Sequence, residues 1–165
     1  MEIRTARLIL RRAIPSDVAA FHAIMSSPVA MRYWATLPHE SMAVTETWFQ
    51  RQFFSGDPVR DEWVIQHDGR VIGNIGIWNM PEFGFILHPD TWGQGIGTEA
   101  ARAFIDYAFA TYPIDSVTAD VDPRNDASLN LLAKLGFTET SRAEKTFLIG
   151  GIWYDSIYLS LPRPA

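Results

Sequence analysis

The sequence predicts a mixed α/β fold, with a largely antiparallel central sheet flanked by helices. Three observations carry this. Several short runs alternate apolar with polar residues, the period of a half-buried strand. Asp68-Gly69 and Gly150-Gly151 lie between such runs, where tight hairpins need residues tolerant of positive φ. One strand, 82–88, runs through a glycine-rich loop straight into an amphipathic helix, 98–111, so helices must pack on the sheet.

Taken in order, residues 3–12 alternate Ile3, Leu8 and Leu10 with Arg4, Arg7 and Arg11 and are expected to form the first strand. Pro15-Ser16-Asp17 opens a helix with Val18, Phe21 and Met25 on its apolar face, and Ser27-Pro28 ends it. The aromatic loop Met31-Arg32-Tyr33-Trp34 follows. Ser41 is placed to cap a second helix carrying Val44, Trp48 and Phe53. Strands are expected at 62–66, 71–78 and 82–88. The helix 98–111 shows Ala101, Phe104, Ile105 and Ala108 as one stripe. Residues 116–121 form a strand with Val117, Ala119 and Val121 on one face. After the loop Asp122-Pro123-Arg124-Asn125, a helix carries Leu131, Leu132 and Leu135 and ends at Gly136, where a left-handed C-terminal glycine belongs. A hairpin of 137–149 with 152–161 closes the chain.

Hydrophobic residues make up 47% of 165 positions, enough for one core, so a single domain over 1–165 is expected. The net charge of −5 argues against nucleic acid as a partner and suits a cationic or amine substrate. Without cysteine the chain has no thiol nucleophile and no disulfide, which fits a cytoplasmic location. No apolar run approaches the ~20 residues that span a bilayer, and Met1-Glu2-Ile3-Arg4 lacks a signal-peptide core, so no membrane association is expected. His22, His39, His67 and His88 show no metal-ligand spacing, and no metal is expected.

Chemistry concentrates at Trp92-Gly93-Gln94-Gly95-Ile96-Gly97-Thr98. A loop of so little bulk lets backbone N–H groups close on an anion, and the helix behind it adds unpaired donors and a positive dipole end. A dinucleotide fingerprint would need glycine at Thr98, and a phosphate loop of the Walker type would need Gly-Lys-Ser/Thr; neither is present. About thirty residues on stands Asn125-Asp126-Ala127-Ser128-Leu129-Asn130-Leu131-Leu132-Ala133-Lys134-Leu135-Gly136-Phe137. Together the two segments resemble the GNAT superfamily of N-acetyltransferases: the first its acetyl-CoA loop, the second its Asn-to-Lys-Leu-Gly-Phe helix. Thr5-Ala6-Arg7-Leu8-Ile9-Leu10-Arg11 and the Thr91-Trp92-Gly93-Gln94-Gly95 stretch are similar to the RimJ/RimL-like branch. Trp92 departs from the pattern, standing where Gln or Arg is usual.

The resemblance implies an acyl-CoA N-acyltransferase fold, acetyl-CoA as donor substrate, and direct transfer to a primary amine in a ternary complex. That amine is a protein N-terminus or a small molecule, and the enzyme is expected as a monomer or homodimer. The alternative is a non-catalytic acyl-CoA-binding module. By the same resemblance, pantetheine pairs with backbone groups of Phe85, Ile86 and Leu87, and pyrophosphate sits on the N–H groups of 93–98. Asn125 then bonds the pantetheine arm, although asparagine there also suits a helix N-cap. Lys134 meets the nucleotide phosphates, or simply solvates a helix end. Glu82 is the candidate base and Ser128 the candidate hydrogen-bond donor to the leaving thiolate, since Leu132 stands where many members carry tyrosine. Tyr33, Trp34 and Trp78 are candidate walls of the acceptor pocket. Alternation puts Asp155 with Trp153, Ile157 and Leu159 on an apolar face, where it needs a partner; Arg142 across the hairpin is expected, with a substrate ammonium second. Asp120 and Asp122 are read as a polar loop edge, with contact to a cationic substrate second, and His88 as a turn residue, with contact to the site second.

Overall fold

A computed structural model describes residues 1–164. Eight strands form one sheet: β1 (Glu2–Arg4), β2 (Leu8–Arg11), β3 (Asp61–His67), β4 (Arg70–Asn79), β5 (Glu82–Leu87), β6 (Ser116–Val121), β7 (Thr138–Ile149) and β8 (Ile152–Pro162). Their order is β1-β2-β3-β4-β5-β6-β8-β7, and every neighbouring pair is antiparallel except β5 and β6. Helices α1 (Val18–Met25) and α2 (Met42–Phe54) cover one face; α3 (Ile96–Thr111) and α4 (Asp126–Leu135) cover the other.

Each strand sorts its side chains by period two. Val117, Ala119 and Val121 enter the larger core with Phe104, Ile105 and Ala108 of α3 and Leu132 of α4. Val64 and Ile86 face the other way, into a smaller core with Phe21, Ile24, Trp48 and Phe49. The turns follow from backbone chemistry: Asp68 and Gly69 both have positive φ (47° and 76°), as do Gly150 and Gly151 (57° and 81°). Ser41 caps α2 by accepting from Val44 N, and Gly136 ends α4 in the left-handed region.

Two local expectations are corrected. Residues 3–12 are not one strand but two, β1 and β2, which fold back so that Ile3 pairs with Leu10. Thr5 closes the turn, donating its N–H to Leu8 O and accepting from Leu8 N, each at 3.0 Å. Alternation cannot distinguish one long strand from two short ones, and a threonine-closed turn carries no glycine to announce it. On α2, Val44 is exposed, and Thr45, Trp48 and Phe49 make the buried face. Among the described residues no helix is long and apolar enough to cross a membrane.

Gly73 marks how tightly β4 lies against β5, because a Cβ there would run into the Ile86 carbonyl. Backbone cannot give way as a side chain can, so Gly73→Ala is expected to lower stability by about 1–3 kcal/mol in urea unfolding, the range of an overpacked core.

Candidate functional site

β5 and β6 share a single paired position, Glu82 with Thr118, supported by Thr118 N donating to Pro81 O at 3.1 Å. Beyond it β5 continues to Leu87 without a partner on that side. His88 N donates to Ile72 O at 2.7 Å, so alternate residues, Gly84 and Ile86, turn their backbone groups to β4. Phe85 and Leu87 therefore turn theirs into the opening. This narrows the expected backbone triad: Ile86 is spent on the sheet, and its side chain lies in the smaller core. Trp92 Nε1 donates to the Leu87 carbonyl at 3.0 Å, which uses the one polar atom of the residue that departs from the family pattern.

The glycine loop leads from this open edge into α3. Gly93 and Gly95 sit at φ 73° and 75°, and Gly95 is the N-cap of α3. The loop is bracketed by Trp92 N donating to Pro89 O and Glu99 N donating to Gly95 O, both at 3.0 Å. Between those bonds, the backbone N–H groups of residues 93–98 find no acceptor among the described residues. His88 fills the turn as expected, its Nδ1 accepting from Asp90 N. Gln94 turns its amide back to Asp90 O at 2.8 Å. Beside the loop runs an open groove of about 600 Å³ that includes Thr98, Arg102 and Lys134. Arg102, which the sequence reading did not single out, stands nearly two turns into α3 and lines the groove with Lys134 as a second cation.

On the sheet face toward α1 and α2, the same opening is bordered by acids. Register slips between Ile77 and Asn79 on β4, leaving Trp78 unpaired in the ladder, and its Nε1 donates to Glu82 Oε1 at 3.0 Å. Burial raises the Glu82 carboxyl above the ordinary range; the Trp78 bond opposes this and the Asp120 charge adds to it. Asp120, two residues beyond Thr118 on the same face, is itself raised by burial, with the Ser156 hydroxyl opposing. Asp120 thus borders the opening beside Glu82. A Cβ on Gly84 would meet nothing within 4 Å, so there is room over β5 between these carboxylates. Arg124 lies over Tyr33 (5.8 Å) and Tyr154 (4.8 Å) while bonding Asp122, and so ties the aromatic loop to the β6–α4 turn. Trp34 instead packs against the smaller core.

At the start of α4, Asn125 accepts from Ser128 N at 3.2 Å, the helix-cap geometry. The role ranked second by the sequence is the one its Oδ1 performs. The Ser128 side chain has no hydrogen-bond partner among the described residues and is half-buried. Asp155 is a correction. It is exposed, accepts from Lys145 N at 2.8 Å, and Arg142 pairs with Glu139 instead. Lys145 at φ 54° bulges β7 between Ala143 and Phe147, so the outer hairpin carries Trp153 into solvent and leaves no apolar face for Asp155 to share.

Sequence reasoning missed a second polar cluster. Burial pushes the Glu62 carboxyl up to about 7, against hydrogen bonds from Asn74 Nδ2 (3.0 Å) and the Arg60 charge. Gln52 Nε2 also donates to it at 2.6 Å. Next to it, Asp61 takes Arg12, Trp63 Nε1 (3.0 Å) and the Tyr112 hydroxyl (2.7 Å). No sequence signal marks this cluster, since Asp61-Glu62 reads as the polar start of a strand. Because Glu62 binds its proton more tightly when folded, stability falls as pH rises from the ordinary carboxyl range through about 7, then levels. Glu62→Gln is expected to flatten that part of the melting-temperature profile between pH 5 and 8. Parallel profiles for the two proteins would contradict it.

Residues 7–138 match the family model described as acetyltransferase (GNAT) domain. Spermidine N(1)-acetyltransferase of Escherichia coli (strain K12) is 24% identical over 158 residues, 92% of this chain and 84% of that protein. Among solved structures, a RimL ribosomal L7/L12 alpha-N-protein acetyltransferase in complex with coenzyme A superposes at TM-score 0.86, with 18% identity and 98% of each chain covered. Spermidine N-acetyltransferase from Vibrio cholerae, in complex with CoA and spermine, gives 0.82 with 21% identity and 96% of each chain covered. At such identities the structural likeness is one of fold.

Proposed function

The chain belongs to the GNAT acetyltransferases, enzymes that move an acetyl group from acetyl-CoA to an amine, and from that premise we propose how its residues divide the work. The observation that carries the reading is the line of backbone groups without a partner among the described residues, from Phe85 and the Leu87 N–H on the open β5 edge to the N–H groups of 93–98. A pantetheine arm adds to the strand edge as an extra strand does. The pyrophosphate then meets the loop amides and the helix dipole. Thr98, Arg102 and Lys134 line the groove where the nucleotide phosphates lie. The Nδ2 of Asn125, without a partner among the described residues, is available to the pantetheine while its Oδ1 caps α4.

The acceptor enters from the opposite face, between Glu82 and Asp120, and is a primary amine: a small polyamine or a protein N-terminus, the two kinds on which the spermidine and RimL relatives act. An amine attacks only when neutral, and ordinary values of about 8 for an α-amino group and 10.4 for a lysine-type amine leave it protonated at neutral pH. Glu82, with its raised carboxyl, takes that proton directly or through one water. The nitrogen bonds to the thioester carbon, the C–S bond breaks, and the proton the nitrogen then sheds passes through water to the departing thiolate, which Ser128 hydrogen-bonds. Having no cysteine, the chain cannot form an acetyl-cysteine intermediate, so transfer is direct. Leu132 in the tyrosine position favours a second reading, a non-catalytic acyl-CoA module.

Calorimetry is expected to detect acetyl-CoA binding, and a panel of amines read by CoA release to find turnover. Binding without turnover on any amine supports the second reading, and no binding at high micromolar acetyl-CoA rejects both. Glu82→Gln is expected to lower kcat by about 10²-fold or more. It should also abolish the fall of kcat/KM on the acid side, which in the wild type lies above the ordinary carboxyl range because Glu82 must be ionised to act. Ser128→Ala is expected to cost about tenfold in kcat, the worth of one hydrogen bond to a charged group, with acetyl-CoA affinity unchanged.

A further inference from the structure

The Thr5–Arg7 turn between β1 and β2 reaches across the molecule to the start of α3. Arg7 Nε donates to Glu99 Oε2 (2.7 Å), Arg7 N donates to Glu99 Oε1 (3.0 Å), and Thr5 Oγ1 donates to the same oxygen (2.6 Å). The other arm of the guanidinium, NH1, donates to the Gln94 carbonyl at 2.9 Å. In a trans peptide the C=O and the following N–H point in opposite directions. With the Gln94 carbonyl turned out to Arg7, the Gly95 N–H is turned the other way, in line with the unpaired amides of the loop. The third nitrogen of Arg7 lies 3.6 Å from where a Cβ on Gly95 would stand, so the guanidinium also flanks that residue.

We infer that Arg7 is a positioning residue of the donor site, locking the Gln94–Gly95 peptide with its N–H facing the pyrophosphate. The inference rests on the donor reading above. A loop with glycine at 93, 95 and 97 has no side-chain packing of its own to choose among peptide orientations, and Gly95 at φ 75° sits in a region glycine leaves freely. An external hydrogen bond supplies the choice. Glu99 is the anchor: burial works against its charge, yet bonds from Thr5 and Arg7 hold its carboxyl below the ordinary range, so it stays ionised under Arg7 at neutral pH. Only a guanidinium spans both acceptors, because its fork offers two donors at a fixed spacing, whereas a lysine ammonium is a point charge.

The test compares wild type with Arg7→Gln, Arg7→Lys, Glu99→Gln and the Arg7→Gln/Glu99→Gln pair, using CoA and pantetheine as probes. Pantetheine carries the arm but no pyrophosphate. Calorimetry is expected to show CoA binding weakened about tenfold by Arg7→Gln, with Arg7→Lys failing to restore it. The double variant should be no worse than Arg7→Gln alone, since the pair acts as one unit. In amide NMR spectra, the Gly95 cross-peak is expected to shift on CoA addition in wild type and to move far less in Arg7→Gln. Pantetheine affinity should stay within twofold throughout. An unchanged Gly95 response with CoA affinity within twofold of wild type overturns the inference. So does an equal loss of CoA and pantetheine binding, which is general damage to the fold. A wild type that binds no CoA overturns the donor reading itself.

Discussion

The parting of β5 from β6 is the constraint on which the rest depends. Neighbouring strands normally spend all their backbone groups on each other, and here two adjacent strands meet at Glu82 and Thr118 and then diverge. Because β5 is held to β4 along its whole length, the divergence leaves one edge of β5 exposed in the middle of the sheet rather than at its rim. α3 starts at the end of that edge, and α4 packs Leu132 and the following Phe137 into the core beneath it, with Phe137 stacked on Phe83 at 6.1 Å. The opening is thus framed by packed aromatic and aliphatic side chains, which give it a fixed shape.

A hole through a sheet separates two chemistries while joining them at one point. On the α3 and α4 face the free groups are donors: loop amides, Thr98, Arg102 and Lys134. On the other face they are carboxylates, Glu82 and Asp120, each raised by burial, with the Asp120 charge raising Glu82 further across the gap. On the proposed reading, an anionic donor and a cationic acceptor approach from opposite sides, sorted by charge as well as by shape. The aromatic bridge of Tyr33, Arg124 and Tyr154 borders the acidic side, and the Arg124 charge is held by Asp122.

The same economy appears in the loop. Glycine admits the close backbone approach that an anion needs, and its freedom is then restrained from outside by Arg7 and Glu99. Trp92 contributes in its own way, tying its indole to the Leu87 carbonyl so that the loop is pinned to the strand it leaves. Two residues far apart in the chain and one at the loop's entrance together do what a stiffer loop sequence would do at the cost of space.

Much of this was legible in the sequence, and the reasons are local. Periodicity placed β3 to β6 and the faces of α3 and α4, because burial of one face imposes period two or 3.6 wherever it occurs. Positive-φ residues at 68–69, 136 and 150–151 named their turns, and the glycine loop with the Asn125–Phe137 helix named the family. Misreadings arose where a distant contact decides the outcome. The turn at Thr5–Arg7 is closed by a threonine side chain, and Asp155 is set outward by a bulge at Lys145. Ile86 turns away from the opening because of its partner on β4. What the sequence determined alone was the elements from β3 onward and the low bulk of the glycine loop, since both follow from residues adjacent in the chain. Only the tertiary structure decided that Glu82 stands beside Asp120, that Glu62 is buried with Asn74, and that Arg7 reaches Gln94. Hydrogen bonds and charge effects depend on distance in space, and folding sets those distances across 38, 12 and 87 positions of chain.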